Sequence, residues 1–579
     1  MKNHAHLGPI LLLASTLLVS WAGTAADQTT PGTLSLMSTF ECISVRAAFS
    51  GDDNANNSAA IQYRKAGSGT WLNAYPPAVD RRKSINGLDN TFNAFQARGS
   101  IVGLTPNTSY EVTLTWSDAD GVGGANPIKG TISTLSYTPP TNGVTRWVDA
   151  AVGMEGSGTP SSPFKTISNA IQSSNPGDTI VVKSGTYAPF TIYKSGTSSA
   201  YFVLKPNTGA EVIIQGETDN LRIDANYWRI IGLRFLPGVE SSIVVGSRRH
   251  HIYIEDTVSS DISTGNVWGS GGVATEANVN NVYILRNQIN RTSIGEDNVD
   301  GVFIRRAGTH TLVIADNVIT GPFWDGIGNG VNSYPNTMEN SDICRNTLSG
   351  FQDDSIELDG GSPNLRVWSN RVVSKSASAI SEGGTIVGPS YIFRNTLVNT
   401  NPRGTGIKQG HNADGACFVF HNVVETTGGG GNETVGQAAG TPFSENHVYR
   451  NNIFKATGNA YYHEGRSNSY DYDLLYAPGF PLVKLWNSAY DYPTLAAFQS
   501  GTGQELHGLS ANPMLNSDKT LQIGSPAIDK GVVLPNFNDA SSAWPFAGIA
   551  PDLGAFESGT PVIPVPPSAP GSIKFATTP

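Results

Sequence analysis

The sequence predicts an all-β protein, a right-handed parallel β-helix (a three-sheet solenoid) carried behind a small β-sandwich. Three observations predict it: a short asparagine motif recurring every 24 to 31 residues, an apolar column in phase with it, and a separate run of alternating strands ahead of both. Composition agrees. Of 579 residues, 64 are glycine and only 15% are charged, which favours many short strands and turns, while 39% hydrophobic residues suffice for a large core. A net charge of −10 leaves no basic footprint for nucleic acid. The cysteines Cys42, Cys344 and Cys417 are odd in number and widely spread, so they describe neither a disulfide framework nor a zinc site.

At the start, Lys2, an apolar run from Leu7 to Ala22 and the small residues Gly23-Thr24-Ala25-Ala26 read as an export signal over residues 1–26. The run is short for a bilayer span, so the mature chain is expected to be secreted or periplasmic, monomeric and without a membrane span.

Residues 34–136 carry alternating segments such as Ala60-Ile61-Gln62-Tyr63-Arg64 and Glu111-Val112-Thr113-Leu114-Thr115-Trp116, the pattern of half-buried strands. The stretch Leu104-Thr105-Pro106-Asn107-Thr108-Ser109-Tyr110 resembles the corner of fibronectin type III domains. That resemblance implies that Tyr110 ties its hydroxyl back to the backbone, that Trp71 is buried between the sheets, and that the module is a spacer or docking platform.

Residues 144–480 form the body. Ser162 is read as the N-cap of a short amphipathic helix with Pro163 in its first turn, a cover for the open end of the stack. Thr179-Ile180-Val181-Val182 reads as the first buried strand. The repeat itself is apolar-x-x-Asn-x-apolar: Ile284…Asn287…Ile289, then Ile314…Asn317…Ile319, Ile343…Asn346…Leu348, Val367…Asn370…Val372, Ile392…Asn395…Leu397, Val419…Asn422…Val424 and Val448…Asn451…Ile453, with Asp256 in the Asn place of an earlier copy. Stacked coils would align these asparagines in a ladder whose amides satisfy one another. Residues 481–558 read as a closing segment, and the Pro-rich residues 559–579 as a flexible tail.

The second column runs Asp300-Gly301-Val302, Asp325-Gly326-Ile327, Asp354-Ser355-Ile356, Ser378-Ala379-Ile380 and Thr405-Gly406-Ile407. If its apolar residues face the core, period-two alternation turns Phe303, Glu357, Ser381 and Lys408 outward, with Arg305 and Asp359 two residues on and His411 just beyond. Arg305, Glu357, Asp359 and Lys408 are the candidate catalytic groups. Trp324 (with Phe323), Asp325, Glu382 and His411 are candidate substrate contacts. Glu357 and Asp359 could serve as a carboxylate pair of the glycoside hydrolase kind, which Asp325, Asp353, Asp354 and Glu382 could join.

These features together resemble the pectate lyase-like superfamily of right-handed β-helix proteins, over roughly 145–476. The resemblance implies carbohydrate chemistry on an extended polysaccharide. Glu357-Leu358-Asp359 is similar to the acidic-x-acidic calcium pair of the alginate and chondroitin lyase group, which implies calcium held by Glu357 and Asp359 and Lys408 or Arg305 as base or carboxylate clamp. The lysine that group carries shortly after the pair is replaced here by Gly360-Gly361-Ser362-Pro363-Asn364, and Lys408 lies two coils further on. The expected function is a secreted enzyme cleaving a polysaccharide: a lyase on a uronate-containing glycan, alternatively a glycoside hydrolase, alternatively a non-catalytic adhesin.

Overall fold

The computed structural model describes residues 27–559 apart from 86, 217–218, 237–240, 261–269, 293, 295–298, 331–337, 361–362, 384–386, 411–414, 430–432, 438–444, 464–466 and 486–489. Residues 1–26, expected to be an export signal, and the expected tail beyond Gly559 lie outside the described residues.

The alternating strands near the start form two four-stranded antiparallel sheets. One runs in the order Thr30–Ser38, Ile43–Ser50, Gln96–Ile101, Ala78–Asp80, and the other Ile128–Ser133, Ser109–Ser117, Ser58–Lys65, Leu72–Asn73. Their inward residues, among them Val45, Ile61, Val112 and Leu114, share one core. The Tyr110 hydroxyl accepts the Thr105 N–H at 3.0 Å, as the corner motif implies. Trp71 departs from expectation: it is half-buried under the Arg64 guanidinium, 4.4 Å from the ring centroid. The buried tryptophan is Trp116, packed on Phe49, because it continues the inward alternation of Val112 and Leu114.

From Thr145 the chain winds into parallel coils with three faces: a 13-stranded sheet, a 12-stranded sheet, and two six-stranded sheets. Single bridges, Ile327 to Ile356 and Glu357 to Ser381, join the two six-stranded sheets into one continuous third face. The stack begins one strand earlier than the sequence indicated, at Thr145–Val148, which pairs with Thr179–Val182. The cap helix is also shorter. It spans Ile167–Ser173 with Thr166, not Ser162, as N-cap, since Phe164 is held extended against Val148 by a parallel bridge. At the other end the helix Leu495–Thr502 buries Phe498 in the solenoid core.

The asparagine ladder is continuous. Asn287 donates through both its N–H and its Nδ2 to Asn317 Oδ1, at 2.8 and 3.0 Å. The same pair of bonds repeats from Asn317 to Asn346, Asn346 to Asn370, Asn370 to Asn395, Asn395 to Asn422 and Asn422 to Asn452, and Asn452 ends the series on Asp473. Two of the sequence assignments move by one residue: the ladder takes Asn452 rather than Asn451, and Thr257 rather than Asp256. The reason is the residue preceding each rung, which adopts a left-handed backbone, as at Asp256, Arg286, Asp316, Arg345, His421 and Asn451. At the Asn451-Asn452 doublet the second residue is therefore the rung, and Tyr449 and Phe454 face the core instead of Val448 and Ile453.

The N-terminal sandwich is docked rather than tethered. Phe40, Cys42 and Val102 pack with Tyr253, Tyr283, Trp368, Tyr391 and Phe418 on the outer side of the 13-stranded sheet. Beneath them the buried Arg366 pairs with Asp342 at 2.6 Å and donates to Ser44 and Ser100 of the sandwich. The closing segment completes the seam, with Asn536 donating to Tyr63 Oη and Val102 O at 2.9 Å.

Asn370→Ala removes four side-chain hydrogen bonds at once, two accepted from Asn346 and two donated to Ile343 O and Asn395, and chemical denaturation should show a loss of about 3 kcal/mol. The buried Asp80 has its carboxyl held below its ordinary value of 3.8, because Arg82 and Arg98 outweigh the effect of burial. That contribution is present above the unfolded carboxylate range and lost as pH falls through the folded value. Asp80→Asn should therefore flatten the acid limb of the thermal-stability profile below about pH 4.

Candidate functional site

Register decides which side chains meet on the third face. Val302, Ile327, Ile356, Ile380, Ile407 and Val435 form one fully buried inward column. One residue on, Phe303, Gly328, Glu357, Ser381, Lys408 and Gly436 form the column on the opposite side of the strands. Glu357 and Lys408 thus share one face with Ser381 between them, about 10 Å apart at the strand spacing.

Two residues before the inward column runs a second polar ladder. Asp300 Oδ1 accepts the Asp325 N–H at 3.1 Å, and Asp325 Oδ1 accepts the Asp354 N–H at 2.7 Å. Asp354 takes the Ser378 hydroxyl on one oxygen and the Lys408 ammonium on the other, the latter at 2.7 Å. Asp353, next in sequence, completes a group. Asp325, Asp353 and Asp354 each place a carboxylate oxygen within 4.8 Å of the other two. The recurrence of Asp two residues ahead of Val302, Ile327 and Ile356 was visible in the sequence, but only the bonds show that these aspartates form a ladder ending on Lys408.

The electrostatics are those of carboxyls crowded away from water. Burial, then the neighbouring Asp300, Glu357 and Asp354, holds Asp325 well above the carboxylate range. Burial raises Asp300 and Asp353 likewise. Glu357 is raised by burial and then by Asp359 and Asp354, and Asp359 by burial in spite of Lys408. Burial pulls Lys408 down, but Asp354, Asp359 and Asp353 outweigh it and the ammonium is favoured.

Each expected site residue except His411 has a definite place. Glu357 Oε2 accepts the Asn329 N–H at 3.0 Å, and Asp359 Oδ1 accepts the Gly383 N–H at 2.8 Å and the Ser381 hydroxyl at 3.1 Å. The pair expected to hold calcium is thus engaged by the protein itself, and the tight carboxylate group lies one step away at Asp325, Asp353 and Asp354. Trp324 is half-buried beside Asp325, whereas Phe323 belongs to the core. Arg305 turns away from the acidic pair: its guanidinium lies 3.6 Å from Glu276 and donates to Ser241 at 3.1 Å, both on earlier coils. Glu276 stands beside it because Thr275 and Ile304 are paired, so its carboxylate is the nearer one. Glu382 is fully buried inside the coil, because alternation from the inward Ile380 sends it to the same side. His411 lies outside the described residues.

The chondroitinase B family matches residues 162–252, the cap helix and the first coils. No curated protein matches the chain. Among solved structures, the chain is similar to the pectate lyase Pel9A at 14% identity over 72% of this chain and 97% of that one, with a TM-score of 0.40. It is similar to XylC, solved in complex with xylose, at 10% identity over 64% and 87%, TM-score 0.38, and to a rhamnogalacturonan lyase at 11% over 66% and 95%, TM-score 0.35. The fold and the site define a parallel β-solenoid that carries a carboxylate and lysine cluster on one sheet face. No helix among the described residues is long and apolar enough to cross a membrane.

A carboxyl whose folded value is raised costs nothing below the unfolded carboxylate range, and the cost grows as pH rises from that range to the folded value. Asp325→Asn keeps an acceptor for the Asp354 N–H and removes one charge. It should raise the melting temperature of the cation-free protein near neutral pH and have little effect at pH 4, as differential scanning calorimetry can read.

Proposed function

We propose that the chain is an exported polysaccharide lyase acting on a uronate-containing glycan laid along the third face. The observation that supports this most is the Lys408 amine, 2.7 Å from Asp354 within a group of three carboxylates that suits a hard divalent cation. The donor set fits calcium: three carboxylate oxygens converge, and their charges are kept apart from water without enough cationic partners to balance them. Asp325, Asp353 and Asp354 would hold the ion. Bound there, it would neutralise a uronate carboxylate and so acidify the adjacent C–H.

Lys408 is the base of this reading: its ammonium, favoured while Asp354 faces it, must first release a proton to solvent, and the neutral Nζ then takes the C–H proton. Glu357 and Asp359, whose carboxyls burial biases toward the protonated form, present hydrogen-bond donors toward the sugar on the same face. Trp324 offers a ring for a pyranose to stack on, next to Asp325. A glycoside hydrolase is the second reading, favoured by the same raised pair, Glu357 and Asp359.

The test is incubation with polygalacturonate, alginate and chondroitin-type polymers, followed by ultraviolet absorbance and reducing-end assays. The lyase gives unsaturated, absorbing ends. Activity disappears with a chelator and returns with calcium, and Lys408→Ala lowers kcat at least ~100-fold. Reducing ends without absorbance would instead establish the hydrolase, and neither product across the panel would reject an enzyme. As an independent reading, calcium should raise the melting temperature of the wild type by mass action and leave Asp353→Asn unmoved.

A further inference from the structure

The inward column one step past Val302 changes character along the solenoid. On the early coils it reads Ile223, Val245, Thr275 and Ile304, in register; from there it continues as Asn329, Leu358, Glu382 and Gln409. Asn329, Glu382 and Gln409 are fully buried. The polar part of the interior is therefore concentrated directly behind the carboxylates and Lys408, whereas on the earlier coils of that column only Thr275 interrupts Ile223, Val245 and Ile304.

Glu382 is its ionisable member. Its carboxyl accepts the Ser390 hydroxyl from the 13-stranded sheet, with Cys417 of that sheet and Gln409 also against it. Its register partner Gln409 accepts the Tyr449 hydroxyl at 2.7 Å, again from the opposite sheet. The residues on either side of Glu382 are the two that seat Asp359: Ser381 donates its hydroxyl and Gly383 its N–H to the same oxygen. The residue before Gln409 is Lys408. A buried carboxyl is retained in a core only where something specific holds it, and here Ser390 ties the Glu382 strand to the sheet behind it as Tyr449 ties the paired Lys408 strand.

We propose that Glu382 is a positioning residue: anchored across the core through Ser390, it sets the two strands that present Asp359 and Lys408 to the substrate. It touches no substrate. This rests on the lyase reading, because it assigns Lys408 and Asp359 to the reaction.

Glu382→Gln keeps the acceptor for Ser390 and should leave kcat within about threefold of wild type, whereas Glu382→Leu should lower kcat by ~10-fold or more with KM little changed, as a misplaced base does. Should Glu382→Leu not fold, Ser390→Ala removes the anchor from the other sheet and should give a smaller loss of the same kind. The inference fails if Glu382→Leu or Ser390→Ala keeps full kcat, if KM carries the loss, or if Glu382→Gln falls as far as Glu382→Leu. If the wild type proves inactive on every uronate polymer, the lyase reading falls alone. The positioning role is then read from crystal structures of the wild type and Ser390→Ala, which should differ in the Asp359 to Gly383 and Lys408 to Asp354 bonds, and unchanged bonds would overturn it.

Discussion

Everything in the solenoid depends on adjacent coils keeping one register, and the asparagine ladder is the device that keeps it. Each rung amide is fully committed: it donates to the next rung and to a strand carbonyl of the preceding coil, as Asn317 does to Asn346 and Ile284. A slip by one residue would leave both groups buried and unsatisfied and would turn every apolar side chain of the coil outward. Because coil lengths vary, with successive rungs 30, 29, 24, 25, 27 and 30 residues apart, the surplus residues are absorbed in turns, not in strands. The strands of the third face consequently stay aligned although the loops between them differ.

On that aligned face the protein tolerates an arrangement that opposes its own stability. Asp300, Asp325, Asp353 and Glu357 are all biased toward protonation by burial and by one another, and Lys408 answers the charge of Asp354. Buried carboxylates elsewhere are of both kinds: burial raises Glu433, Asp473, Glu505 and Glu557 too, whereas Lys455 and Lys519 lower Glu425. A cluster left in the opposite state is the kind of local cost that functional sites carry.

The other side of the solenoid has the reverse problem, too much apolar surface. A parallel sheet is ordinarily covered on both faces, and here an aromatic outer seam runs from Tyr253 to Phe420 along the 13-stranded sheet. The sandwich and the closing segment cover it together, with Phe537 and Trp544 contacting Phe393 from one side and Phe40 contacting Tyr283 from the other. The N-terminal module is accordingly part of one continuous packing arrangement, which is why Arg366 can be buried against Ser44 and Ser100.

The ladder, the inward column and the outward placing of Glu357 and Lys408 were legible in the sequence, because period-two alternation and a repeated rung are local facts that stacking only copies. The off-by-one at Asn451 was not legible, since two asparagines flanked by apolar residues on both sides satisfy either register until backbone conformation chooses. Glu382 could have been placed inward by alternation from Ile380, yet a carboxylate in a core contradicts composition unless Ser390, on another sheet, is seen to hold it. Arg305 and the carboxylate group at Asp325, Asp353 and Asp354 were decided by tertiary structure alone. Which carboxylate an arginine reaches, and which three oxygens converge, depends on side chains from different coils meeting across about 5 Å of strand spacing, and that proximity exists only after the coils are stacked.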